Sequence, residues 1–415
     1  MSEVALEQAT GLNASTQKER PWLFGLLIAP SAVLANGIVQ GALSYLFRQQ
    51  GVGVARSSEI ISLLILPTTI YFLWSPITDF WISRRNWLIA GAVAAGLTMA
   101  AAFQTSRLDT KTAVTLMFLS ACLCQLVVAS CGGMMGALHS EAARRKASSF
   151  YQAGGLGFGA IAIFVMASLA QKMSLHSLGW VAAALIALPA FAALAIPQQT
   201  LIQTHGIKQT FDRIWQEFKE TFFRWRAVPY TLLMLFPIAS GAAIGLLPGV
   251  AQDYGVSGQH IAWMNGFGGA ILTAAGALAA TLVPARVRAA IAYLCAAILN
   301  AATLCILWLG PLSPSTYFVG ATLYLFTVGT CYALFTAVVL EFLGRSGKTG
   351  SGRYSIINSL GNVPVVYMTA FDGRGVALWG ARGLAGTEAV LGAIGPAILL
   401  IYFLTRKPAE APIEA

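Results

Sequence analysis

WLIAGAVAAGLTMAAAFQTS, running from Trp87 to Ser106, decides the fold. It carries no charged side chain and has the length a helix needs to cross a bilayer, about 20 apolar residues. Arg84 and Arg85 stand just before it and Arg107 just after it. The same pattern recurs from Trp22 to Leu404. Twelve such spans are predicted, at about 22–47, 59–80, 87–106, 112–138, 149–170, 177–196, 228–251, 259–283, 288–310, 315–341, 354–371 and 384–404. A chain built this way is an all-α membrane protein, because helices satisfy their own backbone groups in lipid.

Composition agrees. The chain is 57% hydrophobic and 10% charged, with a mean hydropathy of +0.70, where a soluble domain carries about 25% charged residues. The net charge of +10 does not point to a nucleic-acid partner, because the basic residues are scattered over span-flanking loops. They collect instead in every second loop, as Arg84–Arg85, Arg144–Lys146, Arg286–Arg288 and Arg345–Arg353 do. That bias predicts both termini in the cytoplasm. The polar start, 1–21, lacks the order of a cleaved signal peptide and reads as a cytoplasmic tail; 405–415 reads as a second. The six cysteines all fall in apolar segments without zinc-ligand spacing, so they read as packing residues, and no cofactor or metal is expected.

The longest loop, 197–227, repeats Phe211, Ile214, Trp215, Phe218 and Phe222 at helical spacing among charged residues. It reads as an amphipathic helix on the inner membrane surface. It divides the spans into two bundles, 22–196 and 228–404, which echo each other at an offset of about 200 residues, as secondary transporters do. Arg84–Arg85 corresponds to Arg286–Arg288, and Glu141 before its basic cluster and Tyr151 corresponds to Glu341 before Lys348 and Tyr354. Two pseudo-symmetric six-helix bundles are the major facilitator architecture, expected here as a monomer.

The loop after span two reads Phe72-Leu73-Trp74-Ser75-Pro76-Ile77-Thr78-Asp79, then Arg84-Arg85-Asn86-Trp87. Asp79 at a helix end beside two arginines suits a gate whose ion pair holds one of two rocking states. This stretch, with Leu66-Pro67 upstream, resembles the peptide–acetyl-coenzyme A transporter branch of the major facilitator superfamily. AmpG-type muropeptide permeases and siderophore-import relatives belong to that branch. Phe80 stands where the branch pattern has Arg. The resemblance implies proton-driven movement of a small-molecule solute, usually uptake into the cytoplasm.

The span centres read as free of Asp, Glu, Lys, Arg and His, which predicts a neutral, amphipathic pocket. Amides and aromatics remain as candidate substrate ligands: Asn36, Gln40, Tyr71, Gln125, Asn265, Tyr324, Tyr332, Asn358, Asn362 and Tyr367. Amides can hydrogen-bond hydroxyl or peptide groups, and aromatic faces can stack on rings. Proton coupling needs a titrating carboxyl or imidazole, and the candidates fall at span ends. Asp79, His139, Glu141 and Glu341 are on the inner side; Asp253, His260, Asp372 and Glu388 are on the outer side. Glu141 and Glu341 read as ion-pair partners of their basic clusters, and Asp372 as a loop partner of Arg374. Asp253 follows a span broken by Pro229, Pro237 and Pro248, where it would feel a gating motion.

Gly154-Gly155-x-Gly157-x-Gly159 resembles a dinucleotide fingerprint, but no strand precedes it, so it reads as close helix packing. Without a Walker A sequence, ATP is not the local energy source. Two other readings compete with proton-coupled transport by alternating access. One is a lipid or glycolipid flippase of the same fold; the other is a membrane acyltransferase, for which His139 and Glu141 are the only close inner pair. The symmetric halves have no purpose in an enzyme.

Overall fold

The computed structural model describes residues 20–73, 77–78, 80–136, 138, 141–196, 209, 212, 215–216, 219, 222–223, 228–284, 286–344, 357 and 359–405. Most of the predicted amphipathic linker, 197–227, lies outside them. Among the described residues thirteen main helices build the fold. The first half contains α1 (Leu23–Gln49), α2 (Val54–Thr69), α3 (Arg84–Phe103), α4 (Lys111–Gly136), α5 (Glu141–Leu169) and α6 (Leu175–Ala195). The second half contains α7 (Val228–Leu235), α8 (Ala242–Val250), α9 (Gly258–Ala279), α10 (Ala289–Leu309), α11 (Pro314–Gly344), α12 (Val363–Trp379) and α13 (Ala381–Thr405).

Among the described residues eight helices are long and apolar enough to cross a membrane: α1, α3, α4, α6, α9, α10, α11 and α13. The others, α2, α5, α12 and the pair α7 and α8, are shorter or more polar. Their position explains why. They supply most of the packing between halves: α2 lies along α12, α5 against α9, and α8 against α1. A helix face covered by protein need not be apolar. Thus Ser57, Ser58 and Ser62 on α2 are buried, and the Ser62 hydroxyl donates to Val366 O on α12 at 2.6 Å. The perimeter is apolar instead, with Leu97, Leu188, Leu278, Leu309, Ile398 and Ile401 exposed.

The ends of the bundle follow from hydrogen bonds. Arg84 and Arg85 begin α3 and donate to Gly133 O at 2.7 Å and Ile196 O at 3.2 Å, where α4 and α6 finish. Arg288, just before α10, donates to Phe403 O near the end of α13 at 3.0 Å. Each guanidinium meets the negative end of a helix, where unpaired carbonyls need donors. Arg85–Ile196 and Arg288–Phe403 are the same device in the two halves. This end also holds the start of α1 and is called the near end; α1 and α8 run toward the far end.

Three predicted boundaries move. The second span starts earlier, at Val54, and the fifth begins its helix at Glu141 rather than after a loop. The eleventh was expected to stop at 371, with Asp372-Gly373-Arg374-Gly375 in an outer loop. In the structure α12 continues to Trp379 and turns into α13 through Gly380 alone, at φ 67°. A Cβ on Gly373 would collide with Ser58 and one on Gly375 with Gly383. Backbone contact with α2 and α13 therefore supports a helical stretch that its glycines would weaken in isolation.

Candidate functional site

The seventh crossing is broken between α7 and α8. Pro237 has no N–H and forces its neighbour out of the helical region, so the helix stops at Leu235. Ala239 and Gly241 then take positive φ, 45° and 75°. A break of this kind leaves carbonyls without intrahelical partners, a costly condition inside a bilayer. Three tyrosines from other helices supply donors. Tyr367 of α12 donates to Leu235 O at 2.8 Å, Tyr293 of α10 to Ile238 O at 2.8 Å, and Tyr332 of α11 to Ser240 O at 3.4 Å.

The Ser240 side chain joins this break to a buried acid. Its Oγ donates to Glu388 Oε1 at 2.8 Å and accepts from the Ala242 N–H at 3.1 Å. Tyr324 Oη donates to the same Oε1 at 3.3 Å. Asp372 lies beside Glu388, close enough for the two carboxyls to feel each other's charge. Asp372 is 0% exposed and Glu388 is 3% exposed. The described residues supply no donor to either oxygen of Asp372 or to Glu388 Oε2. Two adjacent carboxylates in a dry interior repel each other unless a proton sits between them. The arrangement can therefore hold one proton, with Glu388 Oε1 fixed by Ser240 and Tyr324.

This overturns the prediction of uncharged span interiors. Asp372 is neither in a loop nor paired with Arg374, which points outward and is exposed. Positions 372 and 388 are each eight residues from Gly380, so an antiparallel hairpin sets them at the same depth. At 1.5 Å rise per residue that depth is roughly 12 Å from the turn, well inside the hydrocarbon.

The far end is closed by contacts between halves. Arg48 Nη2 at the end of α1 meets Asp253 Oδ1 after α8 at 2.7 Å, with both side chains about one-third exposed. Beneath this pair, backbone lies on backbone: a Cβ on Gly245 would stand 2.8 Å from Gln40 O, and one on Gly249 3.3 Å from Ser44 Cβ. Tyr45 Oη accepts from Gln49 at 2.7 Å and from Gln171 of the α5–α6 loop at 3.0 Å. Asp253 therefore joins the two halves. Its partner Arg48 was not singled out, because a contact across 205 residues of chain leaves no mark in the sequence.

The remaining predicted residues are dispersed. Asn36 is exposed on α1 and donates to Gly155 O at 3.4 Å; Gln40 is half-buried one turn further on. Tyr71 is buried in the turn after α2. Gln125 is buried and donates to Ala121 O of its own helix at 3.3 Å. Asn265 is buried in a widened turn of α9 and donates to Ile261 O at 3.2 Å and Tyr317 Oη at 3.0 Å. Tyr324 and Tyr332 belong to the acid cluster, Tyr332 with 41% of its surface exposed. Asn362 donates across the midline to Thr68 O at 3.4 Å. Asp79, His139, Asn358 and the side chains of Glu141 and Glu341 lie outside the described residues. Arg84 and Arg85, expected beside Asp79, are bound to carbonyls of their own half. Of the four clustered glycines, Gly154 lies against the Gly25 backbone and Gly159 against Asn36, while Gly155 and Gly157 face open space.

A sequence profile described as Major Facilitator Superfamily matches residues 26–366. No curated protein sequence matches the chain. Similar solved structures include a D-xylose-proton symporter, with TM-score 0.70 and 13% identity over 91% of this chain and 95% of that one. A POT family transporter in complex with 5-aminolevulinic acid has TM-score 0.70 and 10% identity over 92% and 94%. The nucleoside transporter NupG has TM-score 0.67 and 13% identity over 92% and 97%.

Proposed function

The chain belongs to the major facilitator superfamily, whose members are secondary transporters rather than enzymes, and we propose that it is a proton-coupled importer of a medium-sized amphipathic solute. The solute class is a muropeptide-like sugar–peptide fragment or a siderophore, carried by alternating access with both termini in the cytoplasm of a bacterial inner membrane. One observation carries the coupling: Asp372 and Glu388 stand side by side, buried, within the second half. No arginine, lysine or histidine forms an ion pair with either, among the described residues. An intramembrane acid without a counter-cation is a proton site by default. One of the solved neighbours is itself described as a proton symporter.

The solute reading rests on the residues that keep exposed surface near the midline. Asn36, Gln40, Tyr332 and Asn362 are uncharged and offer amide or phenol groups together with an aromatic face. They suit hydroxyls, peptide groups and rings better than a fixed charge. The domain boundaries at 22–196 and 228–404 belong to the same proposal, with the Arg85–Ile196 and Arg288–Phe403 contacts as its symmetric marker.

Uptake by purified protein in proteoliposomes tests it. An inside-alkaline pH gradient should drive accumulation of a muropeptide or a ferric siderophore. Asp372→Asn should abolish accumulation driven by that gradient. Accumulation driven by a sodium gradient alone, at equal pH, would overturn the proton reading.

A further inference from the structure

Resting on the proton site just described, we propose that Ser240 is the positioning residue that transmits the charge state of Asp372–Glu388 to the far-end closure. The path is short and continuous. Glu388 Oε1 holds Ser240 Oγ, Ser240 Oγ caps the Ala242 N–H that begins α8, and α8 leads to Asp253 and its partner Arg48. Between Leu235 and Ala242 no helical ladder links α7 to α8. The direction of α8 therefore depends on what grips the break from outside.

Tyr293, Tyr332 and Tyr367 grip it through backbone carbonyls, contacts that no protonation change in the neutral range alters. Ser240 grips it through a carboxyl. With one proton on the pair, Asp372 donates to Glu388, whose Oε1 accepts from Ser240 and Tyr324; α8 then lies against α1 and the far end is shut. With that proton gone, two adjacent negative charges separate, the Ser240–Glu388 contact breaks, and the start of α8 loses its tie to α13. The far end opens. This order suits an importer: the open, empty pair takes its proton from the far side, and protonation closes the door behind it.

The titratable groups facing the pair are Tyr324 and Tyr332 from α11 and Tyr367 from α12; Ser240 faces it from the break. Around the far-end closure stand Tyr254 and Arg382 near Asp253, Tyr45 beside Gln49, and His260, whose Nδ1 is 2.7 Å from Ser257 Oγ. The imidazole is the competing source of a pH response there.

Spin labels at Gly53→Cys and Gln252→Cys, two exposed far-end positions, read the opening in full-length protein in nanodiscs. The six native cysteines are replaced in that background. The short-distance population of the parent should fall as pH rises. One linked proton gives about a tenfold change in the closed-to-open ratio per pH unit between the two states' titrations. Ser240→Ala should flatten this response, and Ser240→Thr, which keeps the hydroxyl, should restore it. Asp372→Asn should hold the far end shut at every pH, which keeps the idea testable if Ser240→Ala fails to fold. His260→Gln should change nothing.

A Ser240→Ala response equal to the parent's overturns the inference, as does loss of the response in His260→Gln. A far end indifferent to pH in a protein whose uptake still follows the pH gradient overturns it too, while leaving the proton-coupled reading intact. Uptake indifferent to the pH gradient removes that reading itself.

Discussion

The tyrosine–carbonyl contacts show how much one hydroxyl carries where water is absent. Tyr293 is 4% exposed, and its Oη supplies the donor to Ile238 O. Removing it strands a buried carbonyl, which costs about 1–3 kcal/mol. Tyr293→Phe should therefore lower thermal stability in detergent by that amount without altering the packed ring. Tyr332→Phe should cost less, because its contact is longer, 3.4 Å, and its ring is partly exposed. At this scale the sequence was half legible. Tyr324, Tyr332, Tyr367 and Pro237 stand out as polar or bending groups in apolar spans. Glu388 and Asp372 were visible as acids but misplaced, because Asp-Gly-Arg-Gly has the composition of a turn. The missing information was the neighbour: Gly373 and Gly375 are helical because Ser58 and Gly383 approach so closely that no side chain would fit.

At the scale of the element, the break between α7 and α8 is a built feature rather than a loosened helix. Gly241 has φ 75°, and a Cβ there would collide with the Tyr332 hydroxyl. Gly241→Ala meets two penalties at once. The left-handed conformation alone costs about 1–2 kcal/mol, and Tyr332 must also leave Ser240 O. Unfolding of the purified variant should show a loss larger than that of Tyr332→Phe, and the double variant should lose less than the sum, since both act on one contact. Pro237 announced a bend in the sequence. How far the chain unwinds beyond it was not legible, because that depends on donors from α10, α11 and α12 that sequence order does not bring near.

For the whole molecule, the repeat rhythm was the most legible property, since lipid demands the same solution from every crossing. It is also why the less apolar helices could be found but not explained: α2, α5, α8 and α12 meet partners across the midline rather than lipid. The Arg48–Asp253 pair joins equivalent ends of the two halves and lets the closure be tested as a unit. Being one-third exposed, the pair adds little to global stability, about 0.2–1 kcal/mol. Its effect should appear in the balance between closed and open far ends. Arg48→Asp alone places two acids together and Asp253→Arg alone two bases, so each should open the far end and raise the reactivity of a far-end cysteine toward a membrane-impermeant maleimide. The exchanged pair, Arg48→Asp with Asp253→Arg, should return reactivity toward the parent level, because attraction is restored in reverse polarity. Thermal unfolding should barely move in any of the three. If the exchange leaves the far end as reactive as the single variants, the closure is held by the Gly245 and Gly249 backbone contacts, and the ion pair only follows them.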